Sequence, residues 1–123
     1  MGWGMRVESI VRCKPETMRL VDLQPKFLII EKSNASRIET DTFEQAQGIL
    51  FLCPKCFVRH GAVAHSVVCW FVGRDVPDGE IPEGKRWNVD GSGYDDVTLA
   101  EHIVLAGGCR WAGKIRRGAI RYL

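Results

Sequence analysis

The sequence predicts a mainly β fold, a small single sheet domain with a zinc-ribbon-like knuckle and a C-terminal hairpin, and three observations carry that expectation. Short apolar runs rich in Val, Ile, Leu and Phe recur between turn-forming residues. Helical periodicity is nearly absent along the chain. Cys53 and Cys56, separated by Pro54-Lys55, directly follow one apolar run, which is the spacing of half a tetrahedral metal site.

The elements follow in order. Residues 7–11, 26–31 and 49–52 read as strands because Val, Ile, Leu and Phe dominate them and Pro, Asn, Ser and Gly bound them. Between the second and third, Asp41-Thr42-Phe43-Glu44-Gln45-Ala46-Gln47 suits one helical turn, capped by Asp41 or Thr42 and stopped by Gly48. Residues 66–72 form a further strand, whose aromatic and β-branched content fits a sheet buried on at least one face. From 73 to 93 the pattern gives way to Pro77, Asp78, Gly79, Pro82, Gly84, Gly91 and Gly93, a loop excursion in which only 85–89 resembles a strand. Residues 102–105 lead into Gly107-Gly108-Cys109. The closing Lys114-Ile115-Arg116-Arg117-Gly118-Ala119-Ile120-Arg121 reads as a hairpin, with Arg117-Gly118 as the turn and Ile115 and Ile120 facing the core.

With 123 residues, 46% hydrophobic and 26% charged, the chain fits one domain spanning 1–123 whose core is small enough for a bound metal to matter to folding. The net charge of +2 is too small to imply a nucleic-acid partner, although Arg110, Lys114, Arg116, Arg117 and Arg121 make the last segment basic. No apolar run approaches the roughly 20 residues that span a bilayer, and the first residues show no signal-peptide core. The expectation is a cytoplasmic protein without a membrane partner. The cysteine count of five is odd, which in a reducing compartment reads as metal ligands plus one or two buried thiols, with Cys13 a small buried hydrophobe or an exposed spectator.

The turn between Cys53 and Cys56 can point backbone amides at both sulfurs and favour the thiolate that zinc requires. Cys109 is the third expected ligand, since Gly107 and Gly108 permit the close backbone approach of a second knuckle. For the fourth, His65 at the start of a strand comes first, Cys69 is the thiolate rival, and His60 stands four residues beyond Cys56. His102 or a water is the remaining choice, and a water would open the site to hydrolytic chemistry.

The order Cys53-Pro54-Lys55-Cys56-Phe57, His65 to Trp70, Trp87, Asp95 to Leu99, and Gly108-Cys109-Arg110-Trp111-Ala112-Gly113-Lys114-Ile115-Arg116-Arg117-Gly118 resembles a family of small phage and prophage zinc-binding proteins. The resemblance covers about the last 75 residues. Some members bear the label ammonia monooxygenase, though nothing in this chain resembles a membrane-bound copper enzyme. The related domain occurs beside bacterial ubiquitin-like conjugation genes, where members are taken to be peptidases or accessory proteins. The resemblance implies metal positions at Cys53, Cys56 and Cys109, with His65 matching a histidine that precedes the Cys-Trp pair. This chain departs where family members carry histidine at the place of Ala112, and where a serine-containing segment becomes Ala100-Glu101-His102.

Two functions are expected to compete. In the first, zinc is structural and the protein is a protein-interaction or accessory and counter-defence module with a host or phage partner. In the second, the site is an open zinc-dependent hydrolase centre of peptidase type. Asp95, Asp96, Glu101 and His102 form the cluster with catalytic potential, but a solvated loop explains them as well, and no catalytic residue is assigned. Trp87, in a polar loop, is expected to be exposed and to contact the partner together with Arg116, Arg117 and Arg121. An acidic protein fits that surface ahead of nucleic acid, given the carboxylates interleaved through the loop.

Overall fold

Three of the four strands of the first sheet are apolar on both faces. In the computed structural model, which describes residues 18–31, 36–76, 86–105 and 108–122, β1 (Lys26–Glu31) pairs antiparallel with β2 (Ser36–Thr40) on one side and β3 (Gly48–Leu52) on the other. β4 (Ser66–Trp70) adds to β3, giving the order β2-β1-β3-β4. Because side chains alternate across a strand, Phe27, Ile49, Phe51, Val67 and Cys69 enter the main core while Leu28, Ile30 and Trp70 form a smaller cluster on the opposite face. Between β3 and β4 run a helix, α1 (Pro54–His60), and a 3-10 turn at Gly61–Val63.

The second half of the chain covers the inner face of that sheet. β5 (Val89–Asp90) pairs with β6 (Thr98–Leu99), and β7 (Ile103–Val104), β8 (Ala112–Arg116) and β9 (Ala119–Tyr122) form an antiparallel sheet in the order β7-β8-β9. Val97, Leu99, Ile103, Trp111, Ile115 and Ile120 meet Phe27, Ile49 and Phe51 in one buried cluster. The edge of β9 does not stay open. Ile120 N–H donates to the Met18 carbonyl (3.0 Å) and Leu20 N–H to that of Gly118 (2.8 Å), so the segment entering β1 also seals the last strand.

The mainly β class and the closing hairpin match the expectation, with Ile115 opposite Ile120 and both fully buried. Three local readings are corrected, and β2, a strand whose Arg37, Ile38 and Glu39 lie exposed on a sheet edge, joins the sheet without an apolar run to announce it. The strand of 66–72 ends at Trp70, after which Phe71 bridges Trp87 in parallel. The strand-like run at 85–89 forms its regular pairing later, at Val89–Asp90. Trp87 is 8% exposed. Its backbone bonds to Trp70 and Val72, and its indole N–H donates to the His102 carbonyl (3.2 Å), so long-range pairing buries a ring whose sequence neighbours are polar. The expected strand at 7–11 and Cys13 lie outside the described residues.

Arg117 (φ 48°) and Gly118 (φ 75°) are both left-handed, the conformation of a tight hairpin turn whose twist matches that of its strands. At Gly118 space is also lacking, since an added Cβ would lie 2.3 Å from the Asp95 carbonyl oxygen. Gly73 has a similar φ of 75° with open space around it. Gly118→Ala should therefore lower unfolding stability by about 2–3 kcal/mol and Gly73→Ala by only about 1 kcal/mol. Urea denaturation of the two variants checks the difference, and equal losses would show that the Asp95 contact contributes nothing.

Candidate metal centre

Strand register brings the first two parts of the centre together. Leu52 at the end of β3 faces Ser66 at the start of β4, so the next residues outward, Cys53 and His65, are neighbours by construction. Cys53 N–H donates to the His65 carbonyl at 2.8 Å. Cys53 is the N-cap of α1 and Pro54 occupies its first turn, where a missing N–H leaves no helical bond unmade. The Cys53-Pro54-Lys55-Cys56 segment is therefore a helix start instead of an isolated turn, and one helical turn carries Cys56 back beside Cys53.

The third part comes from the tip between β7 and β8, where Gly108 (φ 62°) and Arg110 (φ 57°) are left-handed on either side of Cys109. An added Cβ at Gly108 would meet nothing within 4 Å, so this position calls for backbone conformation and not for the close approach the sequence suggested. The Lys55 ammonium donates to the Cys109 carbonyl (2.9 Å), fastening this tip to the first turn of α1.

The outcome is a cluster of Cys53, Cys56, His65 and Cys109 whose ligand atoms all lie within 4.8 Å of one another. Cys109 Sγ is 3.4 Å from Cys53 Sγ and 3.3 Å from His65 Nε2. Zinc–sulfur bonds near 2.3 Å and zinc–nitrogen bonds near 2.0 Å place tetrahedral donors roughly 3.5–3.8 Å apart, so these residues can hold a metal ion with shifts of about 1 Å or less. Cys53 is buried, Cys56 and Cys109 half-buried, and His65 exposed, so the ion would sit at the rim of the core with its imidazole toward solvent.

The sulfurs already differ in their hold on protons. Burial, with the hydrogen bond to Cys109 adding to it, pushes the Cys53 thiol up to about 12 against the opposing pull of the Cys56 and Lys55 backbone N–H groups. Cys56 is raised as well, by burial and then by Cys109. Burial also opposes ionisation of Cys109, but hydrogen bonds from His65, Cys53, the Trp111 backbone and Cys56 prevail and bring it down to about 6. Cys109 is thus the sulfur of the cluster that ionises most readily, and metal entry must displace the remaining thiol protons. The Tyr122 phenol is pushed up to about 12 by burial and then by the sulfurs of Cys53, Cys109 and Cys56.

The rival fourth ligands fall elsewhere. Cys69 is buried in β4 opposite Ile49, while His60 ends α1 and His102 precedes β7, both exposed and outside the cluster. The polar group read as potentially catalytic is occupied with loop structure. The Asp96 carboxylate accepts from Ser92 and Gly93, which hold it below its ordinary range, and Glu101 accepts from the backbone and side chain of Asn88. Sequence reasoning missed Lys55 as the tie across the centre, for its partner is a backbone carbonyl 54 positions away and leaves no residue pattern.

No protein-family model, curated protein or solved structure matches this chain. Among the described residues no helix is long and apolar enough to cross a membrane.

Separating ligands from bystanders is a direct test. Cys53→Ser, Cys109→Ser and His65→Ala should each lose most of the bound metal measured by elemental analysis of purified protein. Cys69→Ser and His60→Ala should keep the parent's metal content. Undiminished metal in His65→Ala would remove the imidazole from the ligand set.

Proposed function

We propose that the protein is a small binding module whose fold is completed by one structural zinc ion. The reading is supported above all by the number of donors: three thiols and one imidazole converge within 4.8 Å, enough to fill a tetrahedron without a water. Thiolate and imidazole donors in tetrahedral arrangement suit zinc over the harder divalent cations. The phage and prophage resemblance adds the biological setting of an accessory or counter-defence factor acting on a host or phage macromolecule. A hydrolytic centre would need a vacant coordination position and a free acid or base beside it, and the carboxylates of Asp96 and Glu101 are engaged with their own loops.

The contact surface in this proposal is the exposed end of the β8–β9 hairpin around Arg116 and Arg117. Trp87 is withdrawn from it, because a ring 8% exposed and bonded to the backbone of residue 102 offers no face to a partner.

Protein purified without added metal should carry about one equivalent of zinc, and chelation should lower its unfolding free energy by several kcal/mol, enough to unfold a domain of this size. Cobalt in place of zinc should give the intense visible absorption of a tetrahedral thiolate site. An intact fold with less than about half an equivalent of zinc would sink the structural assignment. Zinc-dependent cleavage of peptides by the loaded protein would favour the hydrolytic reading instead.

A further inference from the structure

The outer face of the β8–β9 hairpin concentrates charge that finds no carboxylate partner among the described residues. Gly113, Ile115 and Ile120 are buried, so Lys114 and Arg116 on β8 and Arg121 on β9 project to the other side. Lys114 lies directly across from Arg121, an arrangement of like charges that weakens an antiparallel pair. Among the described residues the ion pair formed is Lys26 with Glu39, on the far sheet edge, and no carboxylate reaches these cations. Arg117 at the turn extends the row, and so does Arg19, whose guanidinium is held by the backbone carbonyls of Asp95 (2.9 Å) and Arg117 (3.3 Å). Opposite Arg116 stands only Ala119, whose small side chain leaves the middle of the face low. The result is an open concavity of about 680 Å³ lined by Arg19, Lys114, Arg116, Arg117 and Arg121, with Tyr122 among its walls.

We propose that this concavity binds the phosphate backbone of single-stranded nucleic acid, a choice of partner that rests on the binding-module reading above. Lys114 and Arg116 are two residues apart on one strand face, roughly 7 Å, a separation comparable with that of successive phosphates on an extended strand. Arginine forks pair with phosphate oxygens in bidentate fashion, and an anion between Lys114 and Arg121 would relieve their repulsion. A protein partner would call for aromatic or aliphatic anchors seated in apolar pockets, whereas this surface offers cations, an alanine floor and one tyrosine. The net charge of +2 understates this surface, since carboxylates elsewhere balance the total.

The test uses the full zinc-loaded chain and a fluorescently labelled oligonucleotide of about 15 nucleotides, long enough for one groove. Anisotropy titrations should show binding that weakens as salt rises, with a slope reduced by about 1.4 in Arg116→Gln/Arg121→Gln, or about 0.7 for each phosphate that is no longer neutralised. The double variant should bind about tenfold more weakly at low salt, while Lys26→Gln on the other sheet binds as the parent does. No binding at about 50 mM salt, or binding indifferent to the double substitution, overturns the proposal. Tighter capture of a polyglutamate peptide assigns the concavity to acidic proteins and also overturns it, and preference for duplex over single strand removes the strand assignment. Zinc content and thermal unfolding of the same samples report separately on the structural-zinc reading. A folded, zinc-loaded protein that ignores nucleic acid refutes only this inference, and metal-free protein that still binds refutes only the other.

Discussion

The pairing of Leu52 with Ser66 is the constraint on which the rest of the molecule depends. Shifting β4 against β3 by one residue would turn Val67 and Cys69 out of the core, so hydrophobic burial fixes the register. That same register sets Cys53 beside His65. The two ligands cost the fold no special geometry of their own, because the core has already placed them. Only the third contributor, Cys109, must be brought from a separate sheet, and there a charged lysine on α1 catches a carbonyl on the incoming tip. An ion held by the cluster would thus join two layers that hydrophobic contact alone would hold together with less directional precision.

The β8–β9 hairpin has different tasks at its two ends. Near β7 it follows the Cys109 tip and packs Trp111 edge-on against Phe51. At the other end it presents Arg116 and Arg117 to solvent. Between them the buried row of Gly113, Ile115 and Ile120 keeps the cationic side chains on the outer face, since alternation allows no other placement. A rigid backbone under the charges means that little conformational entropy is lost when an anion settles on them, compared with the same residues on a flexible tail.

Much of this was legible from the residues. β1 was bounded correctly at Lys26–Glu31 because Pro25 and the Asn34 region bracket a continuous apolar run. The Arg117-Gly118 turn was legible because few residue pairs accept two consecutive left-handed conformations. The cysteine spacing announced the metal site, and placing His65 one step outside a strand made it the natural fourth donor. What escaped was information carried by distant contacts. α1 is short and starts at a proline, so its helical period had no room to show. Trp87 sits among polar residues, and only its bridge to Phe71 draws it inside. β2 is a polar edge strand recognised by its partner's hydrogen bonds and not by its own composition.

The seam between residues 18–20 and β9 has a consequence for how the protein is made. Its bonds join positions as far apart as Arg19 and Arg117, separated by 98 residues, and such distant pairings form late and slowly. On the ribosome, Cys53, Cys56 and His65 emerge together, while Cys109 follows His65 by 44 positions. The nascent chain therefore displays a three-donor half-site, and the inner face of its first sheet, before the closing strands exist. The last donor, on the β7–β8 tip, and the strands that cover the apolar face belong to the same closing segment, so the four-donor cluster and the core are completed together.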